Sequence, residues 1–539
     1  MIKFKSTLTS LVILFLVACQ HTPQTATSTA VPSLAPSAIP TLSPETSTET
    51  AVSPATQITT PPDPTVDLSG SLSFDWNDPE IYRSGLIPSA RDGVDLLATA
   101  PVYSLTVNID PEAGLVTGSQ LIRYTNNESI PLDEIFLHLF PNLLGGSIEV
   151  SNLQADGQKA EWLYENSHAS VMRVPLVAPL QPGTAVLLTM DFVTAVPQDV
   201  GRNYGVFAQV DNVMALAHFY PLVAVYDDNG WHTDPPVEFG DPTFTDAGFY
   251  LVNVSAPDDQ VVVGSGVVAA EAENGRVHTQ TLVAGPARDF YLVLSPDFAV
   301  ETVTVGETTI RSYAPAAFAE GARQAAEVAA SALCVFNPRL GTYPYTELDI
   351  VATPTLALGI EYPGVIAITQ REYDPETPIY EGMANSVFLE TTVAHEMGHQ
   401  WFYNIVGNDQ LLEPWLDEAM AQYITGLYYE DLYGLPAAES YRQSWDDRWS
   451  HVNYADTPIG LPVGVYDGAA YSAIIYGRGP LFVEALAAEM GQDKFTTFLQ
   501  AYTNQNKWGV ATTESFKTLA EATCQCQLTE LFDAWVYAK

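Results

Sequence analysis

The residue types that could do chemistry are concentrated in one run, Thr391-Thr392-Val393-Ala394-His395-Glu396-Met397-Gly398-His399-Gln400-Trp401. Positions four apart on a helix share a face, so His395 and His399 can aim their imidazoles at one ion while Glu396 stands beside it. Two surface histidines on a helix would have the same spacing. With 9 His in 539 residues, however, chance produces this five-residue pattern in only on the order of one chain in a hundred. Val393 and Phe402, apolar on either side, suit a helix buried in a domain rather than one lying in water.

A catalytic zinc takes three protein ligands and keeps one position for water. Glu418, separated from His399 by eighteen intervening residues, is the candidate third ligand. It lies in Trp415-Leu416-Asp417-Glu418-Ala419-Met420-Ala421-Gln422-Tyr423, whose composition suits a second helix packed on the first, and Gly407 and Pro414 supply the turn between them. Asp417 is a candidate for orienting a ligand histidine from behind. One zinc ion on His395, His399 and Glu418 would lower the pKa of its water, and Glu396 could accept that proton and later pass it to a leaving amine. Structural zinc sites fill all four positions with protein ligands. Three ligands and a spare carboxylate therefore argue against a non-catalytic binding lipoprotein with structural zinc.

His395-Glu396-x-x-His399 followed by Glu418 at this spacing resembles the M1 family of zinc aminopeptidases, which are gluzincins. Two more segments agree. Leu358-Gly359-Ile360-Glu361-Tyr362-Pro363-Gly364 is similar to the family's Gly-x-Met-Glu-Asn motif, in which Gly359 and Glu361 would contact the substrate and the Glu binds its free α-amine. Tyr476-Gly477-Arg478-Gly479 is similar to the Tyr-x-Lys-Gly motif, whose tyrosine stabilises the tetrahedral intermediate. The resemblance makes Glu396 and Tyr476 the catalytic pair, with Tyr471 in an auxiliary part. It implies a thermolysin-like α+β catalytic domain with a helical lobe, and a peptide or protein substrate with a free N-terminus. A zinc endopeptidase or another gluzincin hydrolase is the alternative, since an enzyme cutting internal bonds does not need Glu361. Ile360 stands where the motif has Met, Tyr362 where it has Asn, and Arg478 where it has Lys. The sequence ends 63 residues after Tyr476, without the large helical domain of longer family members, so a more open cleft is expected.

The elements that must position these residues follow from the patterning. Tyr103, Leu105, Val107 and Ile109 alternate with Ser104, Thr106, Asn108 and Asp110, the period of a half-buried strand. Similar runs at Ile122 to Thr125, Ile135 to Phe140, Val186 to Phe192, Phe249 to Val254 and Phe290 to Leu294 predict an antiparallel all-β sandwich over residues 68–305. Residues 306–539 read as the catalytic domain. An Ala-rich stretch, Ala316 to Ala332, suits a helix, Leu348 to Ala352 and Val365 to Ile368 suit short strands, and helical texture follows Asn385.

Before these, Lys3 and Lys5 precede an apolar run, Leu11 to Val17, too short to span a bilayer as a permanent helix. Leu16-Val17-Ala18-Cys19 resembles the lipobox of bacterial lipoproteins. Residues 1–18 are thus expected to be a signal peptide and Cys19 a lipid attachment point, placing the protein outside the cytoplasm on the cell membrane. Residues 19–67, rich in Thr, Ser and Pro, read as an extended linker. An address outside the cytoplasm permits a disulfide between Cys334 and either Cys524 or Cys526, whereas one intervening residue is poor geometry for a bridge between the latter two. Finally, 21 Lys plus Arg against 64 Asp plus Glu give a net charge of −43, which would repel phosphate backbones and excludes nucleic acid as a natural partner.

Overall fold

The structure is a computed structural model that describes residues 74–537 other than 238, 242 and 380–383, together with the backbone of Phe15 and Leu16. Cys19 and the linker up to residue 67 lie outside the described residues. A β-sandwich region comes first, followed by an α+β region with a helical lobe. The largest sheet has eight strands, in the order Val267–Asn274, Val277–Ala287, Gly248–Pro257, Val102–Asp110, Leu115–Thr125, Ala185–Ala195, Ser147–Ala155 and Gln158–Lys159. Val102–Asp110 buries Leu105, Val107 and Ile109 and turns Asn108 and Asp110 to solvent, as its alternation requires. Its pairing with Leu115–Thr125 is antiparallel and that with Gly248–Pro257 parallel. Two four-stranded sheets, one centred on Val213–Leu216 and Leu292–Ser295, the other on Leu132–His138 and Val171–Leu180, cover the buried face.

The second region begins with the hairpin Phe298–Val305 and Thr308–Pro315, which continues into Glu347–Thr353, Val365–Thr369 and the edge strand Gly359–Ile360. The Ala-rich helix runs over Ala319–Leu340, longer than its sequence suggests because Pro338 is accommodated in its last turn. It packs on the histidine helix, Asn385–His399, which packs in turn on the glutamate helix, Trp415–Tyr433. The histidine helix has apolar side chains on every side and 11 of its 15 residues are buried, the pattern of a core helix. Helical turns over 79–97, which the strand patterning did not anticipate, place Tyr82, Leu86, Ile87 and Val94 in the core of this second region.

One cysteine expectation is corrected. A disulfide joins Cys524 to Cys526, whose Cα atoms are 5.2 Å apart. Gln525 between them adopts φ 54°, a left-handed conformation that folds the chain back and brings the two side chains within bridging range.

The two regions are tied by polar contacts. Arg288, fully buried, donates to the carbonyls of Tyr403 at 2.6 Å and Thr245 at 3.1 Å, and to that of Gly509. His232, on the sandwich side, stands between Asp227 at 2.8 Å and Asp409 at 3.3 Å, the latter in the connection between the histidine and glutamate helices. Its hydrogen bond with Asp409, with a further contribution from Asp227, outweighs burial and pushes its pKa up from 6.5 to about 9. A raised histidine pKa contributes stability that is full below pH 6.5 and is lost as pH rises through about 9. Melting temperature should therefore fall over that interval, and fall less in His232→Gln. Identical pH slopes in the two proteins would remove this pairing from the account.

Candidate active site

His395 and His399 project from the last turn and a half of their helix, and Glu418 comes from the first turn of the glutamate helix, where the helix dipole favours a carboxylate. Close helix packing lets them meet. A Cβ on Gly398 would lie 3.0 Å from Ile424 Cδ1 and 3.3 Å from both Cα and Cβ of Ala421, so the two helices touch almost backbone to backbone one turn from Glu418.

The three side chains converge. His395 Nε2 lies 3.1 Å from His399 Nε2 and 3.2 Å from Glu418 Oε2, and His399 Nε2 lies 3.3 Å from the same oxygen. Four-coordinate zinc with bonds of about 2.0–2.1 Å requires ligand atoms about 3.3 Å apart. His399 Nδ1 donates to the Phe402 carbonyl at 3.0 Å, which leaves Nε2 as a lone pair facing the other imidazole. Two such nitrogens and a carboxylate oxygen, all buried, make a donor set that fits one divalent cation.

Carboxylates dominate the surroundings. Glu396, Glu361 and His399 have ligand atoms within 4.8 Å of one another, as do Asp241, Glu361 and Asp417. Burial, joined by the charges of Glu361 and Glu418, pushes the Glu396 carboxyl well above the usual range, although His399 opposes it. Burial likewise raises Glu361, and burial with Glu418 takes Asp417 to about 7. Glu396 Oε2 is buried without a hydrogen-bond partner. So much negative charge out of water is held at a cost that a bound cation would offset.

The remaining sequence candidates fall around this centre. Gly359 pairs with Ile368 in the edge strand, and a Cβ there would sit 2.4 Å from Glu396 Oε1, so the position admits no side chain. Glu361 follows it, buried, with its Oε1 accepting from Gln410 Nε2 at 3.2 Å. Tyr476 donates its hydroxyl to Glu418 Oε1 from a π-helical segment, Ile474–Arg478, a local bulge of the kind that re-aims a side chain. The Tyr471 ring is 5.8 Å from that of Tyr476. Arg478 points away from the site. Its guanidinium donates to the carbonyls of Thr457, Trp535 and Ala534 and to Asp456, and lies over the Trp535 ring at 4.7 Å, so it anchors the segment carrying Tyr476.

Asp417 differs from its expected place behind a histidine. Its Oδ2 accepts from Gln410 Nε2 at 2.8 Å and its Oδ1 from the Glu418 amide, because the helix start turns it toward Gln410. Three residues at the site escaped the sequence reading: Asp241, Gln400 and Gln410. Asp241 stands between Gly240 and Pro242 in the sequence, with nothing in its surroundings to mark it. Gln400 adjoins the second histidine, a position that only its burial makes informative.

Known proteins share this arrangement. Residues 324–535 match the peptidase family M1 domain. Aminopeptidase M1-B of Oryza sativa subsp. japonica is 26% identical over 302 residues, covering 53% of this chain and 34% of that enzyme. Aminopeptidase M1 of Arabidopsis thaliana is 26% identical over 306 residues, 54% of this chain and 34% of the plant protein. The matched region thus spans about a third of the length of those enzymes. The M1 zinc metallopeptidase from Deinococcus radiodurans superposes with a TM-score of 0.60 at 19% identity, covering 81% of this chain and 92% of that one. A mutant of it bound to a Tyr-Ser-Ala substrate superposes with a TM-score of 0.58 at 20% identity, covering 81% and 93%. Through residues 324–535 the chain matches peptidase family M1 in sequence, and the sandwich and helical regions together have the fold of an M1 zinc metallopeptidase.

Proposed function

We propose that the protein is a zinc-dependent aminopeptidase that hydrolyses the N-terminal peptide bond of peptides or proteins at the cell surface. The observation that carries this reading is the closeness of Glu361, Glu396 and His399, whose ligand atoms lie within 4.8 Å of one another. In a peptide the α-nitrogen and the first carbonyl carbon are about 2.5 Å apart, since the two intervening bonds are about 1.5 Å each. A carboxylate that pairs with the ammonium therefore stands beside the group that acts on that carbonyl. An endopeptidase, which must accept further residues on that side, has no use for a carboxylate so placed.

His395, His399 and Glu418 would hold the zinc ion, which when bound supplies a Lewis acid that polarises the scissile carbonyl and acidifies water. Glu396, with an unpartnered buried oxygen, accepts the proton of the attacking water and delivers it to the leaving amine. The Tyr476 hydroxyl donates to the developing oxyanion, a contact of a kind worth about 3 kcal/mol. Glu361, steadied by Gln410, pairs with the substrate ammonium.

A membrane tether through Cys19 completes the reading. Its support is the lipobox-like Leu16-Val17-Ala18-Cys19 and the Pro- and Thr-rich stretch after it. Among the described residues no helix is long and apolar enough to cross a membrane. Cys19→Ala is expected to move the protein from the membrane fraction to the soluble one, and retention on membranes would rule out the lipid.

Glu396→Ala should lower turnover by at least about a thousandfold while one zinc equivalent stays bound in equilibrium dialysis. Activity close to the parent's would defeat the assignment of the base. Glu418→Ala should weaken zinc binding by at least about tenfold, and an unchanged affinity would take Glu418 out of the ligand set. Peptides with a free N-terminus should be cleaved in a chelator-sensitive way and their N-acetylated counterparts spared. Equal rates on both would favour an endopeptidase.

A further inference from the structure

We propose that Gln400 is a positioning residue that fixes the amine anchor Glu361 at its distance from the metal ligands, and thereby sets the discrimination between free and blocked N-termini. The proposal rests on the aminopeptidase reading above.

Gln400 follows the ligand His399 directly, caps the C-terminus of the histidine helix and is fully buried. A buried primary amide must place both a carbonyl and an NH2 group. Here both ends bind the main chain of a single turn. Oε1 accepts from the Gly364 amide at 3.0 Å, and Nε2 donates to the Tyr362 carbonyl at 3.1 Å. Pro363 between them has no N–H to offer and Gly364 is at φ 70°; the Tyr362 carbonyl also accepts from the Val365 amide at 3.0 Å, whereas the Gly364 amide finds its acceptor in Gln400.

This turn carries Glu361, and its other restraints come from other places. The Tyr362 ring stacks on Tyr291 of the sandwich region, with centroids 3.9 Å apart and planes 3° from parallel. The Glu361 carboxylate is held by Gln410, in the connection beyond the histidine helix. The two Gln400 bonds run straight from the turn's backbone to the helix that carries His395 and His399. They therefore transmit the position of the metal ligands to the amine anchor. The histidine helix does not depend on them in return. Trp401 Nε1 donates to the Gly341 carbonyl at 3.0 Å, and the Trp401 and Phe402 amides bond back to the Gly398 carbonyl at 3.0 and 3.1 Å.

Tyr362 fits the same account. Its side chain is committed to the stack on Tyr291 and is buried, so it contributes nothing directly to the substrate subsite. Backbone restraint by Gln400 acts beside the Gln410 bond to the carboxylate and the Asp349 amide's bond to the Gly364 carbonyl at 2.9 Å, and of these it alone comes from the residue next to a metal ligand.

The test is Gln400→Met, which keeps the volume and loses both hydrogen bonds, assayed with a free-amine peptide and its N-acetylated form on the zinc-loaded enzyme. Displacing an anchor by about 1 Å can cost on the order of a hundredfold. The expected result is a rise of about tenfold or more in KM for the free peptide. The turnover number should change much less, with zinc stoichiometry retained and the slow rate on the N-acetylated peptide unaltered. The ratio of kcat/KM between free and blocked peptide should collapse. Gln400→Glu keeps the acceptor for Gly364 and should restore part of that ratio, and it serves as the second variant if the methionine protein loses zinc or fails to fold. An unchanged ratio in a zinc-loaded variant, or equal losses on both peptides in both variants, overturns the proposal. A parent enzyme that cleaves free and blocked peptides alike defeats instead the aminopeptidase reading on which it stands.

Discussion

His395 Nε2, His399 Nε2 and Glu418 Oε2 face one another at 3.1, 3.2 and 3.3 Å, and lone pairs at such separations repel unless a proton or a metal cation lies among them. What forces them together is the contact between Gly398 and Ala421. A larger residue at either place would spread the two helices and open the triangle. The apolar side chains Val393, Met397, Trp415 and Ile424 of the two helices are almost fully buried, and their burial, at about 25 cal/mol per Å², holds the helices at this separation. Glu361, Glu396, Asp417 and Asp241 add further carboxylates nearby. Their charge calls for a positive partner on two scales, an ion at the triangle and an ammonium beside it.

The second partner gives the site its direction. An ion and a base alone would act on any carbonyl that reached them. In the proposed aminopeptidase reading Glu361, close to Glu396 and His399, measures from the end of a chain. Its place directly after the two-residue edge strand Gly359–Ile360, with the base packed against Gly359, joins Glu361 to Glu396 through a single short segment.

Much of this was legible in the chain because the helix period is local. His395, Glu396 and His399 are fixed relative to one another by helix geometry alone, and the alternation of Tyr103 to Asp110 defined its strand in the same way. Glu418, Glu361 and Tyr476 could be named through a family resemblance, and the structure brings them to the same place. Asp241 was invisible because what puts it near Glu361 is the packing of two regions, which leaves no periodic trace in sequence. Gln400 and Gln410 were missed for a related reason. A glutamine buried to satisfy main-chain groups looks, in sequence, like one on the surface. The Cys524–Cys526 bridge depended on a single left-handed residue, Gln525, a conformation that composition does not announce.

Arg288 bears on how the molecule moves. Its guanidinium is spread over carbonyls from the sandwich side, from the stretch just after the second histidine and from the helical lobe. Separating these parts would strand a buried cation and three acceptors at once, each at a cost of a kcal/mol or more. The junction therefore behaves as a rivet rather than a hinge, and the sandwich side and the helical lobe keep one fixed spacing across it.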